Sequence, residues 1–359
     1  MRPSMNRSDG INVALFGYGY AGKTFHAPLI TGVSGLNLAS VVSSDERKVR
    51  EDFPQVAVIA SHDQVFADNN IELVVVATPN DTHYDLAKRA LLAGKHVVVD
   101  KPFTTTSSEA EELIKLAREQ NRFLSVFHNR RWDSDFLTVR RLLDEGVVGE
   151  VMHFESHFDR YRPEVRQRWR EQAGAASGIW YDLGPHLLDQ TLQLFGMPDA
   201  IQADLEMQRD KAQSVDFFHV VLRYGRMRAV LHAGALVAAD SARFTIHGKL
   251  GSYVKFGLDT QEDALKRKID VHDEDFGVDD RDGQLTIASE PFDGAALVSK
   301  SRSTERGNYL AYYSGVHDAL RGGAPNPVSP EDALAVMRLI ELGSKSSDSK
   351  TVLSCRLVL

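Results

Sequence analysis

Ile11-Asn-Val-Ala-Leu-Phe16-Gly17-Tyr18-Gly19-Tyr20-Ala21-Gly22 is the stretch that decides the fold. Its first six residues form a short apolar run that reads as a buried strand. The run delivers the chain directly into Gly-x-Gly-x-x-Gly. Gly17 permits a tight turn, Gly19 lets the backbone approach a pyrophosphate, and Gly22 lets a following helix pack close to the strand. The N-terminus of that helix, placed at Thr24 to Ile30, would offer N–H donors and a positive dipole to phosphate groups. Pro28 predicts irregular first turns. The glycine pattern alone is weak, but after a strand and before a helix it reads as a dinucleotide-binding loop, with Tyr18 inside it.

Working outward, Leu36–Val42, Leu73–Ala77 and His96–Asp100 read as further apolar strands, and Phe123–Phe127 as the last. A helix over Thr82–Ala93 is expected, with Asn80 or Asp81 as its cap and Gly94 as its stop. Another starts at Ser108, where Ser108 and Glu111 have the spacing of a capping box. Apolar strands alternating with helices mean a parallel sheet covered on both faces. Residues 1–127 are therefore expected to form a doubly wound α/β domain of Rossmann type that binds NAD(P), and residues 128–359 a second domain.

The cofactor's identity is read at the end of the second strand, Val41-Val42-Ser43-Ser44. An acid there would bond the ribose 2′-hydroxyl of NAD. Ser43 and Ser44 instead leave room for a 2′-phosphate, and Arg47 and Lys48 follow to neutralise it. The reading leans to NADP. NAD stays open because Asp45 takes the acid's place if the strand end shifts by one. Thr78-Pro79-Asn80 lie at the C-terminal end of a strand, where such sheets hold ligands, and His83 follows as a cofactor contact or as a packing histidine. Lys101 follows the strand Val97-Val98-Val99. At a sheet's C-terminal edge it would hydrogen-bond a reacting oxygen, with Pro102 fixing its backbone through a cis or trans peptide.

Composition narrows the partners. With 42 basic and 50 acidic residues the formal charge is −8, which argues against a general nucleic-acid binder. The single cysteine, Cys355, excludes a disulfide framework or a cysteine-rich zinc site within one chain. Met1–Gly10 is polar, and no run approaches the ~20 apolar residues of a membrane helix. A cytoplasmic protein without membrane partners is the expectation.

The second half reads as α+β with a large, mostly antiparallel sheet. A helix spans Asp133–Glu145. The strand after it places Met152, Phe154 and Phe158 on one face and His153, Glu155, His157 and Asp159 on the other. His157 and Asp159 are read either as part of a wet sheet face or as reaching the edge of a substrate pocket. Phe217–Tyr224 and Arg228–Leu236 form a hairpin turning at Gly225, and strands continue to Phe256. Residues 259–290 are acidic and read as an insertion or long loop. Helices are expected at Tyr309–Leu320 and Pro330–Leu342. Gly178-Ile-Trp-Tyr-Asp182-Leu-Gly-Pro-His186-Leu-Leu-Asp189 places Asp182, His186 and Asp189 on one helix face. Such a pair suits acid–base chemistry, with His186 taking a proton and Asp182 orienting it. Metal ligation is disfavoured because no third histidine or HExxH pattern accompanies it, so no metal is expected.

These islands together resemble the Gfo/Idh/MocA oxidoreductase family. The motifs that carry the resemblance are Gly17–Gly22, Ala93-Gly-Lys-His-Val97 leading to Asp100-Lys101-Pro102, and the Gly178–Asp189 helix. Asp100 stands where the family usually has glutamate. His128–Phe136, Tyr161–Arg170 and Gln261–Leu265 are similar to the branch that holds NADP-dependent inositol dehydrogenation, although that branch has arginine where this chain has Asp45. The resemblance implies that Lys101 and His186 face a reacting carbinol, with Asp182 as the histidine's partner. It implies Asn129, Arg130, His157, Asp159 and Tyr161 as contacts to substrate hydroxyls. The implied substrate is a polyol or sugar: scyllo-inositol and its keto form first, with aldoses oxidised at C1 and glycosides oxidised at C3 as alternatives. A homodimer or homotetramer pairing through the open face of the second sheet is implied as well. A non-catalytic NAD(P)-sensing regulator on the same fold is the competing class.

Overall fold

Val74, Val75 and Val76 have no wet face, which is why their strand shows no alternation in sequence. The computed structural model describes residues 10–166, 171–174, 176–289 and 296–358. Met1–Asp9 and the Gln167–Arg170 end of the arginine-rich stretch lie outside the described residues. Two units divide the chain. One is Met1–Asn129 with Glu262–Phe276 and Tyr309–Leu334. The other is Arg130–Gln261 with Gly277–Asn308 and Ala335–Leu359.

In the first unit, β1 (Ile11–Phe16), β2 (Leu36–Val42), β3 (Ala57–Ile59), β4 (Leu73–Val76), β5 (His96–Val99) and β6 (Leu124–Val126) form a parallel sheet in the order β3-β2-β1-β4-β5-β6. The connecting helices are α1 (Ala27–Gly32), α2 (Glu46–Asp52), α3 (His62–Ala67), α4 (His83–Leu92) and α5 (Ser107–Glu119). Strand order reverses between β1 and β4, and ligands of such sheets bind in the crevice at that point.

Two local expectations are corrected, and a third, the irregular start of the helix at Pro28, takes a definite form. The helix after the glycine loop begins as a π-helical turn, Gly22–His26, in which the Ala27 N–H reaches Gly22 O. Pro28 lacks an N–H, and its ring crowds the carbonyl four residues back, so the turn widens. Neither Asn80 nor Asp81 caps α4. A 3₁₀ turn, Asn80–Thr82, feeds the helix, and no side-chain cap forms. The capping box of α5 is Thr106 with Glu109, two residues before the expected pair. Both pairs have the same spacing, but Glu109 also accepts from the N–H and Oγ1 of Thr105, which favours the earlier register.

In the second unit, α6 (Ser134–Asp144) precedes β7 (Val151–His157), α7 (Gly178–Phe195), β8 (Ala200–Glu206), β9 (Phe217–Tyr224), β10 (Met227–Gly234), β11 (Ala242–Gly248) and β12 (Gly251–Phe256). After α8 (Gln261–Lys266) come β13 (Gly283–Ala288), β14 (Leu297–Arg302), α9 (Leu310–Gly322), α10 (Pro330–Ser349) and β15 (Leu353–Ser354). The nine described strands of the second sheet run β14-β13-β12-β11-β7-β10-β9-β8-β15, with β7 and β10 parallel and the other neighbours antiparallel. This is the mixed, largely antiparallel sheet expected.

One face of this sheet is dry. Phe154, Phe218, Val220, Leu222, Ala229, Leu231, Phe244 and Ile246 pack with Trp180, Leu183, Leu187 and Leu188 of α7 and with Ile340 of α10. The Trp180 indole donates to Ile340 O at 3.1 Å. Residues one position out of phase, among them His153, Glu155, His157 and His232, occupy the opposite face.

The acidic segment is not a loop throughout. Asp259 accepts the N–H groups of Ser134 and Gln261, both at 2.8 Å. Asp279 forms a buried pair with Lys255 at 2.9 Å, and β13 joins the sheet. These carboxylates face cations and amides inside the protein, so their polarity misleads as a sign of exposure.

Candidate active site

In the first unit the glycine loop is shaped by contacts that allow no side chain at two of its three glycines. Gly17 has φ +91°, and a Cβ there would lie 2.6 Å from Ala77 O. A Cβ on Gly22 would lie 2.1 Å from Gly17 O. Gly19 differs, since a Cβ there would meet nothing within 4 Å. Two glycines thus serve close packing, and the third keeps open space above the loop, where a pyrophosphate's approach requires it. The residues present fit a dinucleotide.

Tyr18 is turned inward. Its hydroxyl donates to Asp52 at 3.0 Å, and Asp52 also pairs with Lys23 at 2.8 Å and Lys268 at 2.7 Å. Burial would raise the Asp52 carboxyl, but Lys23, Lys268 and Tyr18 together hold it at about 2. Tyr20 is exposed and its hydroxyl bonds Glu262. Through Lys268 and Glu262, part of the acidic segment is tied to the glycine loop. Nothing in its composition signalled this.

At the end of β2, Ser43 Oγ accepts the Asp45 N–H at 3.1 Å. Asp45 caps α2 by accepting the Lys48 N–H at 3.1 Å. Ser44 is exposed. Arg47 is 87% exposed and lies 3.9 Å from Glu51. Lys48, in contrast, folds back, and its ammonium donates to Tyr18 O at 3.1 Å. Of the two cations noted in sequence, Lys48 is the one held at the loop.

The ends of β4 and β5 meet through His83. This ring is fully buried, with Nδ1 2.8 Å from Pro102 O and Nε2 3.0 Å from Thr78 O. Burial pushes its pKa below the ordinary value, which favours the neutral ring. It braces two ligand-side loops and is fully buried, which fits the packing alternative read in sequence and not the side-chain contact to a cofactor. Thr78 Oγ1 lies 2.6 Å from Thr82 Oγ1, and Asn80 is buried beside Pro79. The Lys101–Pro102 bond is cis, and the Lys101 N–H donates to Asp100 Oδ1 at 2.8 Å. Asp100 lies 3.7 Å from His26 Nε2, and His26 Nδ1 lies 2.6 Å from the Tyr313 hydroxyl of α9. Burial acts to raise the Asp100 carboxyl. His26, Lys101 and His83 outweigh it and hold the group at about 2. The shorter acid at this position is therefore a buried carboxylate anchoring the Lys101 backbone.

In the second unit α7 begins at Gly178, where φ is +78° and a Cβ would lie 2.6 Å from Val215 O. Asp182 and His186 stand one turn apart on it, Asp182 half-buried and His186 buried. Asp189 completes the spacing but serves another purpose. Arg131 grips it with Nε at 2.9 Å and Nη2 at 2.6 Å. Arg130 pairs with Asp133 at 3.3 Å and lies over the Phe158 ring at 4.8 Å. Arg243 pairs with Asp135 at 3.3 Å and donates to Gln190 of α7 at 2.7 Å. This buried layer of three arginines and three aspartates was missed as a layer in sequence, where Arg130 was read as a substrate contact and Asp189 as sharing a helix face with Asp182 and His186. Asn129 is buried, in the first unit, and Tyr161 is exposed.

His157 and Asp159 take the wet sheet face, one of the two readings of the strand, and not the substrate side that the resemblance implied. Phe154, Ser156 and Phe158 are buried along β7 and its extension, so His157 points to the sheet face away from α7. Asp159 joins it there, contacting His157 and His232. The structure does not bring these two residues to the side that carries His186. Strand alternation forces the separation.

Residues 11–128 match the oxidoreductase family's NAD-binding Rossmann fold (GFO_IDH_MocA), and residues 140–354 match that family's C-terminal alpha/beta domain. The chain is 56% identical over 346 residues to an uncharacterized oxidoreductase, YdgJ, of Escherichia coli, covering 96% of this chain and 99% of that one. It is 41% identical over 344 residues to scyllo-inositol 2-dehydrogenase (NADP(+)) IolW of Bacillus subtilis, covering 95% of each. A solved structure from Yersinia pestis superposes with TM-score 0.93 at 56% identity, covering 97% of both chains.

Proposed function

The chain belongs to the Gfo/Idh/MocA oxidoreductase family, and from that premise we propose that it is an NADP-preferring dehydrogenase of a cyclic polyol, scyllo-inositol and its 2-keto form being the substrate pair. Bound NADP supplies the hydride acceptor, the C4 position of its nicotinamide ring. The observation that carries this reading is the placement of Lys101 on the same sheet edge as the open space above Gly19. β1 and β5 are two strands apart in that sheet, a lateral distance of ~10 Å, which a dinucleotide spans.

On this reading the Lys101 ammonium hydrogen-bonds the reacting oxygen and stabilises negative charge developing on it. His186 accepts the hydroxyl proton, and Asp182 holds the imidazolium that results. The preference for NADP rests on the β2 end. Asp45 is engaged as the α2 cap, while Ser43, Ser44 and the Lys48 ammonium offer a hydroxyl-rich, cationic setting for a 2′-phosphate. The choice of polyol rests on the Bacillus subtilis relative. The same reading makes the protein a homodimer or homotetramer, which light scattering on the purified chain checks.

The test is reduced-nicotinamide absorbance with NADP and NAD across inositols, aldoses and glycosides. Turnover of scyllo-inositol that favours NADP is expected, and His186→Ala is expected to abolish turnover while cofactor still binds. Turnover of a different sugar would overturn the substrate and keep the chemistry. No turnover in either direction would overturn the enzyme reading and favour a sensing role.

A further inference from the structure

On the sheet face away from α7, a polar row crosses four neighbouring strands in register, His157 opposite His232, His232 opposite His219, and His219 opposite Asp204. Asp159 sits at the end of this row. Its Oδ2 lies 3.3 Å from His157 Nδ1, and its Oδ1 lies 3.5 Å from His232 Nε2. One donor atom from each of His157, Asp159 and His232 falls within 4.8 Å of the others. We propose that these three side chains form a binding site for a divalent transition-metal ion of the zinc class, separate from the hydride chemistry.

The donor set selects the ion. Two imidazoles with one carboxylate suit zinc and its borderline neighbours, whereas calcium and magnesium favour all-oxygen sites. Spacing agrees. A tetrahedral ion with bonds of about 2.0–2.1 Å holds neighbouring donors ~3.3 Å apart. A direct charge-assisted hydrogen bond between imidazole and carboxylate would close to about 2.7–2.9 Å. The two separations found, 3.3 and 3.5 Å, run to different oxygens of Asp159, so an ion shared by both histidines would be held through both carboxylate oxygens.

The tautomers point the same way. His157 Nε2 lies 3.1 Å from Glu155 Oε2, so that nitrogen carries the proton and donates it. With an ion bound, a neutral His157 would present its Nδ1 lone pair toward Asp159, and His232 Nε2 approaches the same carboxylate from the other side. Two imidazole nitrogens converging on one carboxylate call for positive charge there, which a metal ion or a proton on His157 supplies. The surroundings are those of a built site. Asp159 is fixed by the Gly234 N–H at 3.0 Å on Oδ1 and by the Ser241 hydroxyl at 2.7 Å on Oδ2. Glu155 orients His157 as second-layer carboxylates orient zinc-bound histidines, and it is itself held by His153 at 2.6 Å. In the single chain the three side chains are 22%, 7% and 16% exposed, and pairing through this open face would cover them, so water or a group from the facing copy would complete the ion's ligands. All three ligands come from one chain, so the site needs no second copy. The expectation of no metal arose because the ligands lie 73 residues apart in sequence (232 − 159), and only the pairing of β7 with β10 joins them.

The test is a titration of untagged, chelator-treated full-length protein with Zn²⁺ by calorimetry, and with Co²⁺ by visible absorption. One equivalent of Zn²⁺ per chain and Co²⁺ ligand-field bands displaced by Zn²⁺ are expected. His232→Gln, His157→Gln and Asp159→Asn should each abolish the bands. Glu155→Gln should weaken Zn²⁺ binding by roughly 10–100-fold through loss of orientation. His247→Gln, on the same face but outside the site, should leave binding unchanged. Circular dichroism establishes that each variant is folded, and Asp159→Asn, being isosteric, carries the test if a histidine variant is not. Absence of saturable Zn²⁺ uptake, or uptake that survives both His232→Gln and Asp159→Asn, overturns the proposal and assigns the cluster to protons alone.

Discussion

Gly19 and Gly22 are both glycines of one loop, and the structure gives them opposite jobs, which a pair of alanine substitutions separates. In Gly22→Ala the new methyl would lie 2.1 Å from Gly17 O, far inside a normal van der Waals separation of about 3.5–4.0 Å. The loop or the helix has to shift by more than an ångström in a packed α/β core. Such overpacking costs about 1–3 kcal/mol, and urea denaturation should report that loss with or without nucleotide. In Gly19→Ala the methyl meets nothing within 4 Å, and the stability of the free protein should stay within about 0.5 kcal/mol. The methyl does occupy the space through which a pyrophosphate reaches the loop's N–H groups. Losing one hydrogen bond to a charged oxygen costs about 1.5–3 kcal/mol, so NADPH affinity by fluorescence titration should fall about 10–100-fold. Unchanged affinity in Gly19→Ala would mean that the open space above the loop is not where the phosphates lie, and the argument from the glycine cradle would fail.

Three further perturbations address other parts of the molecule. Asp100 is held at about 2 against an ordinary 3.8. A depressed carboxyl stabilises the fold above its unfolded pKa and loses that contribution as pH falls through its folded one. Asp100→Asn should therefore cost about 2 kcal/mol at pH ~7 and about half of that at pH ~3; a gap in urea midpoints that does not narrow on acidification would refute the assignment. Arg131→Met strands the Asp189 carboxylate and should cost about 3–5 kcal/mol, while the double change with Asp189→Leu should restore part of it. Equal instability of single and double variants by thermal denaturation would argue that the pair is not the source. Lys48→Met should weaken NADPH roughly tenfold and leave NADH nearly unchanged, because only the former carries a 2′-phosphate. Parallel losses for both cofactors in fluorescence titrations would make Lys48 a brace for the Tyr18 carbonyl and nothing more.

The nucleotide-binding half was legible because its signals are local. A fully apolar strand, a glycine where φ must be positive, and a lysine immediately after a strand each depend on a few adjacent residues. Even there, competing local patterns could not be ranked. Thr106-to-Glu109 and Ser108-to-Glu111 both satisfy the capping spacing, and only the extra bonds from Thr105 to Glu109 decide between them. The second half was legible in its strands but not in what its charges face. Asp189 was seen only as sharing a helix face with Asp182 and His186, and its partner Arg131 stands 58 residues away. Asp259 and Asp279 looked solvated, yet their partners come from α6 and β12. His157 shows the limit most clearly. Its alternation with Phe158 was read correctly, and alternation says that two residues face opposite ways without saying which face carries the helix with His186. That choice is made when Leu183 and Leu187 of α7 seat on Leu231 and its neighbours, an event of tertiary packing that leaves the histidines of β7, β9 and β10 together on the other side.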